Sequence, residues 1–400
     1  MKPNLLILTN NFPNAPLTSE GWLADEIVYS YSFFNSIYIL PEINSDIHID
    51  LPKNCSVVKL KLEKHTTLNF REILNCFYIV FSDFFEYPSK IDFLKAFRNN
   101  LALIKYLTIK AKKISKQSLL FQSPITIYAY WADNLLTTAC ILKQLYKPCK
   151  IVSRAHGFEI FEEQTKYGVV PFRQFQSQHS SKIFADSKKG YAHLFNKHSQ
   201  SKIYDSSYVG TLDKGLGFFN EEEVFTIITC SHIRHVKRLY LMADILKHIS
   251  FPLIWNVIGT GEEFDLVKSN NSKLPENIKI NYLGNLTNVQ VLAFYKTKHA
   301  NLFVSLSYSE GLPVSMMEAL SFGIPIMSTD VGGCSEICND NTGILIPKDF
   351  DAKKVADRIT EFKNSKKNNL EFRNQCKDYW KINFNAEINY SHFSKEIASI

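Results

Sequence analysis

The sequence predicts an α/β protein built from two doubly wound, parallel-sheet domains, and three observations carry that prediction. Its 400 residues exceed what one hydrophobic core usually holds. Short apolar runs alternate with longer helix-period segments, and the whole alternation occurs twice. A glycine-rich stretch, Tyr208-Val-Gly-Thr-Leu-Asp-Lys-Gly-Leu-Gly217, separates the two series and reads as the linker.

Taken in order, residues 5–8, 36–40, 57–60, 125–130, 151–154 and 182–185 read as strands of the first half. Helical patterns cover 23–33, 91–116, 134–146 and 187–196. The second half repeats the scheme with strands at 225–230, 253–258, 278–282, 301–305, 324–328 and 343–346, and helices between them. The opening Met-Lys-Pro-Asn-Leu-Leu-Ile-Leu-Thr has too short an apolar core for a signal peptide and reads as a first buried strand. No apolar stretch approaches the length of a bilayer span. The expectation is therefore a cytoplasmic chain, soluble or peripheral on the inner face of the membrane.

Hydrophobic residues at 45% and charged residues at 21% describe an ordinary globular chain. The eight cysteines form no C-x2-C pair, so reduced structural thiols are expected, with no zinc knuckle or redox motif. The net charge of +7 is concentrated in residues 57–118, where twelve Lys or Arg face five acids. Ten aromatic residues interleave those charges, a pattern that suits an anionic membrane surface. The bland alternative is a solvated helix face over a normal core. Nucleic acid is not expected, because no recognisable binding motif accompanies the charge.

The most informative segment runs Ser305-Leu-Ser-Tyr-Ser-Glu310-Gly-Leu-Pro-Val-Ser-Met-Met-Glu318-Ala-Leu-Ser-Phe-Gly323. A strand ends in a polar turn, a helix opens at Pro313, and Gly323 closes it. Glu310 thus lies on the loop and Glu318 in the second turn of the helix. Backbone N–H groups of Leu312, Val314 and Ser315 face out at the helix N-terminus, a setting that attracts anions. One loop offers acceptors for hydroxyls and donors for phosphate, and a nucleotide sugar needs both.

With its flanks, Ser-Glu-Gly-Leu-Pro before and Glu-Ala-Leu-Ser-Phe-Gly-Ile-Pro after, this segment resembles the donor-site signature of the retaining family 4 glycosyltransferases of the GT-B fold. The resemblance implies two Rossmann-like domains facing across a cleft, with a terminal helix crossing back to the first. Domains of 1–207, completed by about 380–400, and 208–379 follow from it. It gives Glu318 the ribose hydroxyls and Glu310 the sugar hydroxyls, with Gly311, Leu312, Pro313 and Val314 forming the loop around the donor. Ser153-Arg-Ala-His156-Gly-Phe-Glu matches the family segment whose histidine reaches the donor sugar, and Glu159 stands where Asp is common. Gly21 is the candidate for the glycine that approaches the diphosphate, although the commoner Gly-Gly pair is absent.

Cys230-Ser-His-Ile-Arg-His-Val-Lys-Arg238 resembles the family's Arg-then-Lys loop, whose cations neutralise the departing diphosphate. Lys237 takes the lysine position. The arginine position falls on His232, with Arg234 two residues further on, so either one is a candidate. Lys237 and Arg238 have a bland alternative as solvated charges at a helix start. Val257-Ile-Gly-Thr-Gly261 is a weak glycine turn, placed in the family beside the base. Asp349-Phe-Asp351 precedes a helix and reads as capping, so no metal and no cofactor is expected.

The implied substrates are a nucleoside-diphosphate sugar and a glycan or lipid-linked acceptor of bacterial surface polysaccharide. The implied enzyme transfers a hexosyl or N-acetylhexosaminyl group with retention. Two rivals stand beside it: a nucleotide-sugar epimerase, and a catalytically silent nucleotide-sugar-binding partner subunit.

Overall fold

A computed structural model describes residues 2–13, 21–44, 49–60, 67–117, 120, 125–146, 149–198 and 201–400. Part of the first glycine loop (14–20) and of the basic stretch (61–66 and 118) lies outside the described residues. The chain divides into two units, Met1–Ser207 with Tyr390–Ile400, and Tyr208–Asn389.

The first unit carries strands β1 (Asn4–Phe12), β2 (Ile37–Asn44), β3 (Cys55–Val57), β4 (Ile125–Ala129), β5 (Cys149–Ala155), β6 (Lys182–Ala185) and β7 (Tyr204–Ser206). They form one sheet in the order β3-β2-β1-β4-β5-β6-β7, every neighbouring pair parallel. Its helices are α1 (Gly21–Ser30), α2 (Phe70–Ser82), α3 (Lys90–Ser115), α4 (Asn134–Leu145), α5 (Gly157–Ile160), α6 (Arg173–His179) and α7 (Lys188–Lys197). Because side chains alternate along a strand, β1 feeds two cores at once. Leu6 and Leu8 join residues of α2, α3 and α4 on one face, while Leu5 and Ile7 join Leu23 and Ile27 of α1 on the other. Phe393 and Ile397 complete that second face.

The second unit repeats the plan with β8 (Phe225–Cys230), β9 (Leu253–Ile258), β10 (Ile278–Gly284), β11 (Leu302–Ser305), β12 (Ile326–Thr329) and β13 (Gly343–Ile346). The sheet order is β10-β9-β8-β11-β12-β13, again all parallel. Its helices are α8 (Met242–Leu246), α9 (Phe264–Asn271), α10 (Asn288–Thr297), α11 (Val314–Ser321), α12 (Cys334–Ile337), α13 (Ala352–Asn364) and α14 (Leu370–Asn383). The order reverses between β8 and β11, so a crevice opens at their carboxyl ends, where such sheets bind ligands.

The sequence starts the return to the first unit at about 380, and the structure moves that point. Trp380 on α14 is fully buried and its indole N–H donates to Thr211 Oγ1 at 2.8 Å, which ties it to the second unit. A final helix α15 (Ala386–Ser399) follows, and only from Tyr390 does the chain belong to the first unit. There Phe393 lies 4.0 Å from the guanidinium of Arg154, which pairs with Glu26 at 3.0 Å, both charges buried. Ser394 adds a 2.7 Å hydrogen bond to Ser30.

Candidate donor site

The crevice of the second unit is lined by Thr229, Cys230 and Ser231 from the end of β8 and by Leu306, Ser307 and Glu310 after β11. Lys237 and Ser315 also reach it. Lys237 ends a 3-10 turn, His235–Lys237; its N–H donates to Arg234 O (2.9 Å) and that of Arg238 donates to His235 O (3.1 Å). Its Nζ donates to Glu310 Oε1 at 2.5 Å, and Ser307 Oγ donates to the same oxygen at 2.6 Å. The carboxylate is thereby held against one cation and one hydroxyl, at the carboxyl ends of the two central strands. Burial pushes the Cys230 thiol beside them up to about 12, against thiolate formation.

Two glycine turns hold these loops by close backbone approach. Gly332 has φ +48°, and a Cβ there would sit 1.9 Å from Glu310 O, while Gly333 N–H donates to Gly311 O at 2.8 Å. Gly259 (φ +121°) leaves no room for a Cβ against Ser231 O, and Ile233 N–H donates to Thr260 O at 2.9 Å. The Gly-Thr-Gly turn therefore packs against the loop that leads to Lys237.

The sequence opens a helix at Pro313; the structure makes Pro313 the residue before it, with an extended ψ of 111°, and α11 begins at Val314. Leu312 is buried under the turn. The first N–H groups of α11, those of Val314 and Ser315, have no partner within the helix itself. Gly323 closes α11 with φ +71°. Glu318 is buried on α11, and Asn288 Nδ2, at the first position of α10, donates to its Oε1 at 2.7 Å.

Neither His232 nor Arg234 is among the residues that line the crevice. His232 is half exposed and lies 3.5 Å from Glu262 Oε2, and Arg234 is exposed. Arg238, for which a solvated helix-start charge is the bland alternative, is instead buried with φ 48°. Its guanidinium donates to Leu306 O (2.8 Å), Ser307 O (3.3 Å) and Lys348 O (2.8 Å), and it faces Tyr308 and Phe350. That arginine fastens the strand-end carbonyls around the crevice. No spacing rule pointed to it, because its role depends on three carbonyls distant in sequence.

His156 lies in the first unit, directly after β5 and before α5. Its Nδ1 is 3.3 Å from Asp186 Oδ2, and its ring packs on Trp131 with centroids 4.8 Å apart. The His156 N–H donates to Glu159 Oε2 at 2.9 Å. Burial, then the nearby Asp133, holds the Glu159 carboxyl well above the usual range. Gly21 opens α1, beyond the undescribed part of its loop. Asp351, the second acid of the Asp-x-Asp sequence, accepts the Lys354 N–H at 2.8 Å and caps α13. Among the described residues no group of three or more His, Cys, Asp or Glu is arranged to hold a metal ion.

Two parallel-sheet α/β units of this kind define the GT-B class. Within that class, residues 217–381, which is nearly the whole second unit, match the model of the family described as glycosyl transferases group 1. The O-antigen biosynthesis glycosyltransferase WbnH of Escherichia coli is 34% identical over 128 residues, 32% of this chain and 35% of that protein. The matched stretch thus spans about a third of that curated relative. Among solved structures, Anabaena HepE in complex with UDP superposes with a TM-score of 0.69 at 13% identity, covering 99% of this chain and 100% of that one. The lipopolysaccharide outer core galactosyltransferase WaaB gives a TM-score of 0.70 at 12% identity, with 99% and 100% coverage. At such identities the structures speak for the fold alone.

Proposed function

We propose that this protein is a retaining, metal-independent glycosyltransferase of family 4. It moves a hexosyl or N-acetylhexosaminyl group from a nucleoside-diphosphate sugar to a glycan or lipid-linked acceptor of bacterial surface polysaccharide. The single observation that carries the reading is the Lys237–Glu310–Ser307 cluster in the crevice between β8 and β11, beside the N-terminus of α11. The names of its relatives support the same reading: WbnH is an O-antigen glycosyltransferase, and HepE has been solved with UDP.

The chemistry requires breaking an anomeric C–O bond with a nucleoside diphosphate as leaving group. Negative charge grows on the leaving phosphate oxygen, so stabilisation must be aimed there. Lys237 Nζ and the N–H groups of Val314 and Ser315 supply it. Binding of the diphosphate draws Lys237 from Glu310 and releases that carboxylate to accept from sugar hydroxyls. Glu318, oriented by Asn288, accepts from the ribose hydroxyls and fixes the reacting carbon. His156 is assigned to the donor sugar by family resemblance, with its ring set by Trp131 and Asp186. The leaving phosphate oxygen takes the acceptor proton, so the scheme uses no protein base.

Titration calorimetry with UDP and GDP tests the donor half. Glu318→Ala should weaken binding of the preferred nucleotide by about 1.5–3 kcal/mol, the value of hydrogen bonds to a charged acceptor. Unchanged affinity in a folded Glu318→Ala protein refutes the assignment. Turnover in excess chelator should equal turnover without it, and a loss restored by magnesium or manganese refutes metal independence.

A further inference from the structure

Helix α2 is an amphipathic helix with apolar residues on both sides. Its inner face buries Cys76, Ile79 and Val80 against the sheet-side core. Its outer face carries Phe70, Leu74, Tyr78 and Phe81, and the 3-10 turn Phe84–Glu86 that follows adds Phe85. All five are more than half exposed, and Phe85 reaches 93%, the highest value among the exposed large hydrophobics of the described residues. Within α2 the spacing of four, four and three residues places Phe70, Leu74, Tyr78 and Phe81 along one line. With 13 residues, α2 is about 20 Å long, so the stripe is far larger than an isolated exposed side chain. Ile91 and Leu94, at the start of α3, extend the apolar surface.

The charges around the stripe have one sign. Within 67–117 the exposed charged residues are Arg71, Lys90, Lys95, Arg98 and Lys116, of which Lys95 lies 3.7 Å from Asp92 Oδ1. Each carboxylate in the same range is turned inward or engaged. Glu72 caps α2 and pairs with Lys112 at 2.8 Å. Asp83 is buried and accepts the Phe172 and Gln174 N–H groups at the start of α6. Glu86 accepts from Gln174 at 2.6 Å, and Asp92 accepts from Ser89 at 2.7 Å at the start of α3.

We propose that this face seats the first unit on an anionic membrane surface, with α2 lying in the plane of the interface. The stripe enters the headgroup boundary and the cations meet lipid phosphates, the pattern of a helix that lies on a bilayer. No helix among the described residues is long and apolar enough to cross one. Charge also decides against a second copy as occupant. A two-fold contact through this stripe would bring the cations Arg71, Lys90, Lys95 and Arg98 of one copy against the same set on the other. No recognisable nucleic-acid-binding motif accompanies the charge. The proposal deepens the reading of a glycosyltransferase with a membrane partner and rests on that reading only for its biological purpose.

Co-sedimentation of the full chain with vesicles tests it, comparing phosphatidylcholine alone with phosphatidylcholine plus phosphatidylglycerol at low and high salt. Wild type should pellet with the anionic vesicles and be released by salt, since exposed charges are screened over roughly 8 Å near physiological ionic strength. Each reversal among Arg71→Glu, Lys95→Glu and Arg98→Glu should lower the partition coefficient by at least about fivefold. The triple variant Phe70→Ser, Leu74→Ser, Phe85→Ser should lower it at least about tenfold even at low salt. If the triple variant melts early, the charge reversals carry the test alone. Wild type left in the supernatant at low salt overturns the proposal, as does a folded triple variant that partitions like wild type. A dimer in sedimentation velocity that Phe85→Ser converts to monomer assigns the face to a second copy instead. Nucleotide binding, followed by thermal shift in the same variants, should not change. If wild type binds vesicles but neither UDP nor GDP, the glycosyltransferase reading falls and the membrane seat stands.

Discussion

Gly332→Ala offers a sharp perturbation of the donor loop, because the structure sets both its cost and its direction. A Cβ at this position would lie 1.9 Å from Glu310 O, where real contacts do not fall below 3.0 Å. The two backbones must therefore part by about 1 Å, and the carbonyl that moves belongs to Glu310 itself. The left-handed φ of +48° adds about 1–2 kcal/mol for any residue with a Cβ. Gly284→Ala is the matched control: it has φ +69° and nothing within 4 Å of its added Cβ, so it carries the conformational cost alone. Both variants should lose a few degrees of Tm, at about 2–4 °C per kcal/mol for a domain of this size. Only Gly332→Ala should lose turnover, on the order of 100-fold, the cost of misplacing a catalytic group by about 1 Å. Thermal melts and kcat measured side by side decide the matter. Equal Tm and equal kcat in the two variants would refute the claim that the Gly332 contact sets the position of Glu310.

Asn288→Ala should weaken nucleotide binding by about 1 kcal/mol in calorimetry while leaving Tm within a few degrees, because it removes one hydrogen bond to the Glu318 carboxylate. Arg154→Met should destabilise by about 3–5 kcal/mol in denaturant titration, since it leaves Glu26 buried without its cation; adding Glu26→Gln should recover part of that loss. Burial raises the Asp83 carboxyl from 3.8 to about 7 in the folded chain. Its stabilising protonation is complete below the unfolded value and is lost as pH rises through the folded one, by up to about 4 kcal/mol. Denaturant melts at pH 5 and pH 8 should therefore show a smaller decline in Asp83→Asn than in wild type, and parallel declines count against it.

The strands were legible because most are continuous apolar runs bounded by polar turns, and those at 182–185, 225–230, 253–258 and 343–346 have the expected ends. The three-residue β7 was not, since Tyr204–Ser206 has no periodicity to read. Helix α2 escaped as a discrete element for the opposite reason: apolar residues on both its faces blur the period. In the site, Lys237, Glu310 and Glu318 stand in a local motif, so sequence brought them forward. Their fixing partners did not stand out. Asn288 lies 30 residues from Glu318, and Gly332 meets Glu310 only through the turn after β12. Arg238 was weighed as a solvated charge because its three carbonyl partners come from two other loops. Such partners are set by tertiary closure, which a single sequence does not encode locally.

The return of residues 390–400 to the first unit has a consequence for synthesis on the ribosome. Phe393 and Ile397, which finish one face of the first core, are made only after all of Tyr208–Asn389. At about 5–20 residues per second, those intervening residues take about 10–40 s to emerge. For that interval the nascent first unit exposes Val152 and Phe184 on the unfinished face, together with the buried Arg154–Glu26 pair. A chaperone that binds apolar surface has its longest opportunity there, and the second unit can complete its own fold first.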